Sequence, residues 1–236
     1  MPTPIIFLIF AVIAEAIGTI TGFGATTILL PVALFIMPVR EAIVIVAFFH
    51  FLGTTWRTAF FAREINIKVA LVFGIPSLIF SFIGASLLHL IDIQVLTKIV
   101  GLLLIFYALY SLLKHKIVIS KRWSYLIVGG GVVGFLAGLI GTAGALRGAF
   151  LTSWNLPKKK YLGTAAFMGL GADVARVVAY NQTGIFTLNF SQMIILGITA
   201  LIGTYIGKVL LSKVKSETFA KIIFVGLFLV GVRFLF

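Results

Sequence analysis

The sequence predicts an all-α polytopic membrane protein of two inverted repeats, each with one re-entrant or broken helix plus three transmembrane helices. Three observations carry that expectation. Apolar residues make up 61% of the 236-residue chain and charged residues 11%, with a mean hydropathy of +1.20, where ordinary globular domains have about 45–50% and about 25%. Gly22, Pro38, Arg57 and Gly84 recur as Gly141, Pro157, Arg176 and Gly203, each 119 positions later, which marks an internal duplication. Lysine and arginine gather in a few linkers between apolar segments, where they act as topology signals.

In chain order, eight apolar elements can be read, at 4–36, 41–62, 68–90, 93–113, 124–153, 160–181, 189–211 and 216–235. They group into repeats at 1–113 and 120–236. Breakers such as Met37-Pro38, Ile91-Asp92 and Leu156-Pro157 separate them. Six have the length of one crossing of a ~30 Å hydrocarbon core. The other two are too long: as straight helices, 4–36 would span roughly 50 Å and 124–153 roughly 45 Å. Both carry glycines near the middle, so each reads as two half-helices, with the irregular backbone covered by protein or by a water-filled cavity.

Charge then orients the chain. The linkers Lys114-His115-Lys116 to Lys121-Arg122 and Lys158-Lys159-Lys160 are both basic and both flank 124–153. Placing both in the cytoplasm makes that element re-entrant. The remaining linkers then alternate, with 89–92 and 181–188 outside and Arg63, Lys68, Lys208, Lys213 and Lys215 inside. One re-entrant hairpin and three crossings per repeat is an odd number, so the second copy must be inverted. That is the plan of many secondary transporters, with the site near the midplane. The competing reading has eight full crossings and parallel repeats, and puts one basic linker on the wrong side.

Composition also excludes several classes. The first segment lacks a basic start and runs too long for a cleavable signal peptide. Without cysteine there is no disulfide framework or thiolate site. The formal charge of +13 serves topology and anionic lipid, not nucleic acid. No phosphate-binding Gly-x-x-x-x-Gly-Lys-Ser/Thr run, metal-ligand spacing or Ser-His-Asp set is present, so no enzyme, cofactor or metal is expected.

Ionisable residues inside the apolar elements include Glu15, His50, Arg57, Arg147, Asp173 and Arg176. Each buried charge is costly, so all should face the interior or a cavity. His50, Thr54, Arg57 and Phe61 share one helical face, as do their counterparts Gly169, Asp173, Arg176 and Tyr180. Arg57 and Arg176 form a matched pair suited to anion oxygens. The structural alternative pairs Arg176 with Asp173 and lets Arg57 snorkel to the headgroups. Arg147 either adds positive charge to the site or clamps free carbonyls at the second break. The turns at Gly22, Gly24, Thr26 and Thr27 and at Gly141, Thr142 and Gly144 offer helix N-termini and hydroxyls to an anion, or else permit close helix packing. Glu15 and Asp173 balance arginines or carry coupling protons. His50 reads as a hydrogen-bonded packing residue. Three arginines against two carboxylates leave one positive charge, which favours an anion.

Those residues resemble the sulfite exporter TauE/SafE family of membrane permeases. The resemblance lies in the run Gly18-Thr19-Ile20-Thr21-Gly22-Phe23-Gly24-Ala25-Thr26-Thr27-Ile28-Leu29-Leu30-Pro31, in Gly138-Leu139-Ile140-Gly141-Thr142-Ala143-Gly144 with Pro157, and in the two-repeat layout. The chain departs from the family's commoner Gly-x-Gly-Gly-Gly run at Ala25, Thr26 and Thr27 and at Ala145, Leu146 and Arg147, where a substrate would bind. The resemblance implies a multi-pass cell-membrane transporter of sulfite, a sulfonate or another small organic anion. Rival readings are a passive anion channel, for which buried carboxylates have less use, and a scaffold subunit, for which almost no extramembrane surface is left. Oligomeric state is left open.

Overall fold

A computed structural model describes residues 5–22, 24–92, 94–95, 98–99, 101–102, 105–106, 109, 121–141, 143–186, 188–211 and 232, without the side chains of Ala145 and Thr152. The eight α-helices placed in it are α1 (Ile5–Thr21), α2 (Thr26–Ile36), α3 (Val39–Phe60), α4 (Ile67–Leu87), α5 (Trp123–Ile140), α6 (Gly144–Thr152), α7 (Lys158–Gln182) and α8 (Phe190–Leu210). A 3₁₀ turn, Ala62–Glu64, links α3 to α4. There is no strand among the described residues, and α3, α4, α5, α7 and α8 are each long and apolar enough to cross a membrane. The predicted segments 93–113 and 216–235, and the boundary between repeats, lie largely outside the described residues.

Both over-long segments are broken where the glycines predict. Gly22 and Gly141 each end a helix with φ 77°, and Gly24 follows at φ 90°. Only glycine enters this left-handed region without a steric penalty. The Gly22 amide donates to the Gly18 carbonyl and the Gly141 amide to the Ala137 carbonyl, both at 2.9 Å, the closing bond of a left-handed helix stop. Pro38 and Pro157 then occupy the N-cap positions of α3 and α7. Proline suits the flank of a helix start, where no backbone donor is needed. The same local structure therefore recurs at the same offset.

Packing crosses between the halves. α1 packs on α8 and α5 on α4, while α3 and α7 lie together between them and also touch α8 and α4 respectively. Each half's first helix is thus seated on the other half's last described helix. The α4–α5 seam is the tightest. A Cβ on Gly130, Gly134 or Gly138 would come within 2.3, 2.2 and 2.1 Å of the carbonyl oxygens of Phe73, Ser77 and Ser81. The four-residue spacing on both helices stacks small residues along one stripe, so the backbones meet directly, as in small-xxx-small membrane packing. The outward faces of α4 (Ile75, Leu78, Ile79, Ile83) and α8 (Ile194, Ile198, Ile202) are exposed and apolar, as a lipid-facing surface requires.

End-to-end contacts show which helix termini share a face. The Trp123 ring at the start of α5 and the Trp154 ring just past α6 lie with centroids 4.4 Å apart. The α5–α6 element therefore returns to the side on which it began. Lys68 at the start of α4 sits over Trp123, and Lys208 at the end of α8 sits over Phe60 at the end of α3. The Lys158 ammonium, at the start of α7, donates to the Leu211 carbonyl at 2.8 Å. These termini form one basic, aromatic rim, of the kind that anchors helices at a membrane interface. Because the natural chain has no cysteine, labelling can read this directly. Lys121→Cys and Lys158→Cys should both react with an impermeant maleimide from one side of the membrane, and reaction from opposite sides would exclude the hairpin.

Candidate functional site

Five buried ionisable residues, Glu15, Arg57, His50, Asp173 and Arg176, join into one chain of contacts. Glu15 on α1 holds Arg57 on α3: Nη1 donates to Oε1 at 2.8 Å. The Thr204 hydroxyl on α8 donates to the same oxygen at 3.0 Å and that of Thr19 at 3.4 Å. Glu15 stands where the second repeat has Gly134, and it fits because Gly53 and Gly203 face it. A Cβ on Gly53 would lie 2.4 Å from Oε2, and one on Gly203 2.7 Å from the glutamate Cβ. Arg57 is 4% exposed, so it does not snorkel to the headgroups.

Arg57 leads on to His50. Its Nη2 donates to Thr54 Oγ1 at 2.9 Å and lies 3.4 Å from His50 Nε2. Nδ1 of His50 donates to Asp173 Oδ2 on α7 at 2.8 Å. An ionised carboxylate can only accept, so the proton of neutral His50 sits on Nδ1 and the Nε2 lone pair is free to accept. Asp173 Oδ1 in turn accepts from Arg176 Nη2 at 2.9 Å. The expected pairing of residues 173 and 176 on one helix is present, and the network runs unbroken from α1 through α3 to α7.

Arg176 has the carbonyl-clamping position that Arg147 was the candidate for. Its Nη1 donates to the Gly141 carbonyl at 2.9 Å and the Ala137 carbonyl at 3.4 Å, and its Nη2 to the Ala47 carbonyl at 3.2 Å. The Tyr180 hydroxyl donates to the Gly138 carbonyl at 2.7 Å. The last turn of α5 would otherwise leave carbonyls unpaired inside the protein, and a cation there also meets the negative end of the helix dipole.

Arg147 differs. It is 7% exposed, its Nε has no hydrogen-bond partner, and among the described residues no carboxylate lies within ion-pair distance of it. Its Nη1 rests against Gly169, where a Cβ would come within 2.3 Å. Asp173, Arg57, Arg176 and the Tyr161 phenol are the ionisable groups in its electrostatic surroundings. The buried set therefore holds Arg57, Arg147 and Arg176 against Glu15 and Asp173. With His50 neutral, that is a surplus of one positive charge among the described residues.

Gly24 and Gly141 border this cluster. Gly24 lies against the His50 ring, a Cβ there being 2.3 Å from Nε2, and Gly22 lies against Tyr161 and Leu162. Thr26 and Thr27 are buried in the first turn of α2, whose N-cap Ala25 provides no side-chain bond. Gly144 opens α6 behind Ala143, which also provides none. α2 and α6 touch each other. Thr142 lies outside the described residues. His50 is buried and hydrogen-bonded, as the sequence suggested, and its partner Asp173 is 123 positions away.

Broken, interleaved halves around a buried network of ionisable residues make this a polytopic membrane protein. The comparisons place the chain more narrowly. The family model described as "Sulfite exporter TauE/SafE" matches residues 6–234, and the chain belongs to that family. A probable membrane transporter protein of Methanocaldococcus jannaschii is 31% identical over 156 residues, spanning 60% of this chain and 58% of that relative. No solved structure matches the chain.

Proposed function

We propose that this protein is a secondary transporter that moves a small anion, such as sulfite, a sulfonate or another organic anion, across the cell membrane by alternating access. The observation that carries the reading is Arg147, a buried guanidinium with no carboxylate within ion-pair distance among the described residues. A buried charge without a counter-ion is costly, and a site short of one negative charge is completed by an anion. Arg147 is the principal ligand, and Arg57 borders the site from α3. Gly22, Gly24, Thr26, Thr27, Gly141 and Gly144 stand at the two breaks and the starts of α2 and α6, where backbone donors and helix dipoles favour negative charge, and Thr142 is a further candidate ligand from the sequence. Arg176 touches the same network while holding the end of α5.

The inverted arrangement belongs to this reading. α3 ends on the basic rim, whereas its counterpart α7 begins there. Glu15 and Asp173 hold the arginines in place, and Glu15 Oε2, buried without a partner, is open to a coupling proton. A passive channel has little need of such paired carboxylates.

Thermal unfolding of the detergent-purified protein with sulfite, sulfate, methanesulfonate and short carboxylates tests the site. An anion at 100 times its Kd stabilises the folded state by about 2.7 kcal/mol. Arg147→Gln should lose that anion-dependent shift, while its ligand-free Tm stays level or rises because an uncompensated charge is gone. Full anion protection of the variant would exclude Arg147 as the ligand, and no protection of the wild type by any anion would exclude an anion site. In liposomes, accumulation against a gradient separates a transporter from a channel.

A further inference from the structure

His50 is the one member of the buried network that changes charge without breaking an arginine–carboxylate pair. Its Nδ1 is committed to Asp173 Oδ2 at 2.8 Å. Its Nε2 faces the backbone of Gly24, so closely that a Cβ there would lie within 2.3 Å. The remaining polar neighbour of Nε2 is Arg57 Nη2 at 3.4 Å, and that nitrogen has a better acceptor in Thr54 at 2.9 Å. The Nε2 lone pair is therefore held weakly, at the break where the start of α2 meets the cluster.

Every charged group that the described residues place around the imidazole can be named. Arg57 lies on its own helix, and Asp173 and Arg176 come from α7. Glu15 reaches it from α1 through Arg57, and Arg147 from α6 shares the surroundings of Asp173 and Arg57. α2 has no ionisable residue. On α8 the ionisable side chains are Tyr205 and Lys208, both exposed, with Lys208 turned away over Phe60.

Charge counting then distinguishes between substrates. With His50 neutral the buried set has one surplus positive charge, which a monoanion cancels. A dianion leaves one negative charge, and a proton on His50 cancels that. We propose that His50 takes up a proton at Nε2 when the site holds a dianion, so that the protein moves a dianion together with one proton but a monoanion alone. The inference rests on the anion-site reading above and assigns the coupling proton to His50 rather than to Glu15, whose protonation would weaken its pair with Arg57. The proton comes from water on the side where the anion enters, is held on Nε2 as an imidazolium hydrogen bond to an anion oxygen, and leaves to water with the anion. No other bond forms or breaks.

Calorimetric titration of the detergent-purified full chain, repeated at one pH in buffers of different ionisation enthalpy, measures protons taken up on binding. Sulfate serves as a permanent dianion and methanesulfonate as a permanent monoanion. The wild type should take up about one proton with sulfate and close to none with methanesulfonate, as linkage between proton and anion binding requires. His50→Asn keeps a donor near Nδ1 for Asp173 but has no Nε2. It should bind methanesulfonate as the wild type does, which also reports an intact fold. It should bind sulfate about tenfold more weakly and without proton uptake. Sulfate binding to the wild type without proton uptake, or unchanged uptake in His50→Asn, overturns the assignment of His50 alone. No binding of either anion to the wild type overturns the anion site and this inference with it.

Discussion

Asp173→Asn should yield little folded protein, and what folds should melt far below the wild type. Asp173 accepts from His50 at 2.8 Å and from Arg176 at 2.9 Å, and it is 3% exposed. Its neutralisation leaves three buried arginines facing Glu15 alone. Removing one member of a buried ion pair costs about 3–5 kcal/mol, since the partner's charge stays buried and unpaired. That is a large share of the roughly 5–15 kcal/mol that holds a typical folded domain together. The cause can be separated from lost packing, because asparagine has nearly the volume of aspartate. A second substitution that removes a positive charge should rescue it: Asp173→Asn with Arg147→Gln restores the original charge surplus and should melt above Asp173→Asn alone. Melting curves of the three variants in one detergent decide the matter. A single variant as stable as the wild type would mean that Asp173 is not needed to hold the arginines.

Gly134→Ala should destabilise the protein by about 1–3 kcal/mol, the usual cost of forcing extra atoms into a packed interior. The added methyl would lie 2.2 Å from the Ser77 carbonyl oxygen and 2.6 Å from its Cα. These are backbone atoms of α4, so relief requires the two helices to part. The loss appears even though alanine is the better helix former by about 1 kcal/mol. Gly131→Ala is the matching control three residues away on α5. Its methyl would meet nothing nearer than the Phe80 ring at 3.4 Å, so the helix preference should show as a neutral or stabilising change. Combining alanine at 130, 134 and 138 strains three successive rungs of the seam and should prevent folding. Equal effects at 131 and 134 would show that the seam is not in backbone contact.

Much of this was legible from residues alone. The six elements that fall on described residues appear within three residues of their expected ends, because membrane helices must be both long and apolar. The two breaks were legible because each lies inside a segment too long for one crossing and contains glycine. The identity of the arginine's partners was not. Arg57 and Arg176 hold matching positions, yet one is bound by a carboxylate from α1 and a threonine from its own helix, the other by a carboxylate and three backbone carbonyls. Sequence symmetry made them a pair; the repeats have different side chains around a shared backbone, and so the arginines have different work. The role of His50 was hidden for the same reason. Its contact with Asp173 spans 123 positions, and no local pattern reports a contact of that range.

The sequence by itself determined the membrane class, the duplication, the places where the helices stop and the sign of the interior charge. These follow from hydropathy, from an offset between residues and from the backbone freedom of glycine, all of which are local or additive. The tertiary structure alone decided how that charge is distributed. It paired Glu15 with Arg57 and Asp173 with both His50 and Arg176, turned Arg176 onto the end of α5, and left Arg147 without a carboxylate partner among the described residues. Ion pairs are set by distances of a few ångströms between helices far apart in sequence, and those distances exist only once the halves have packed across each other.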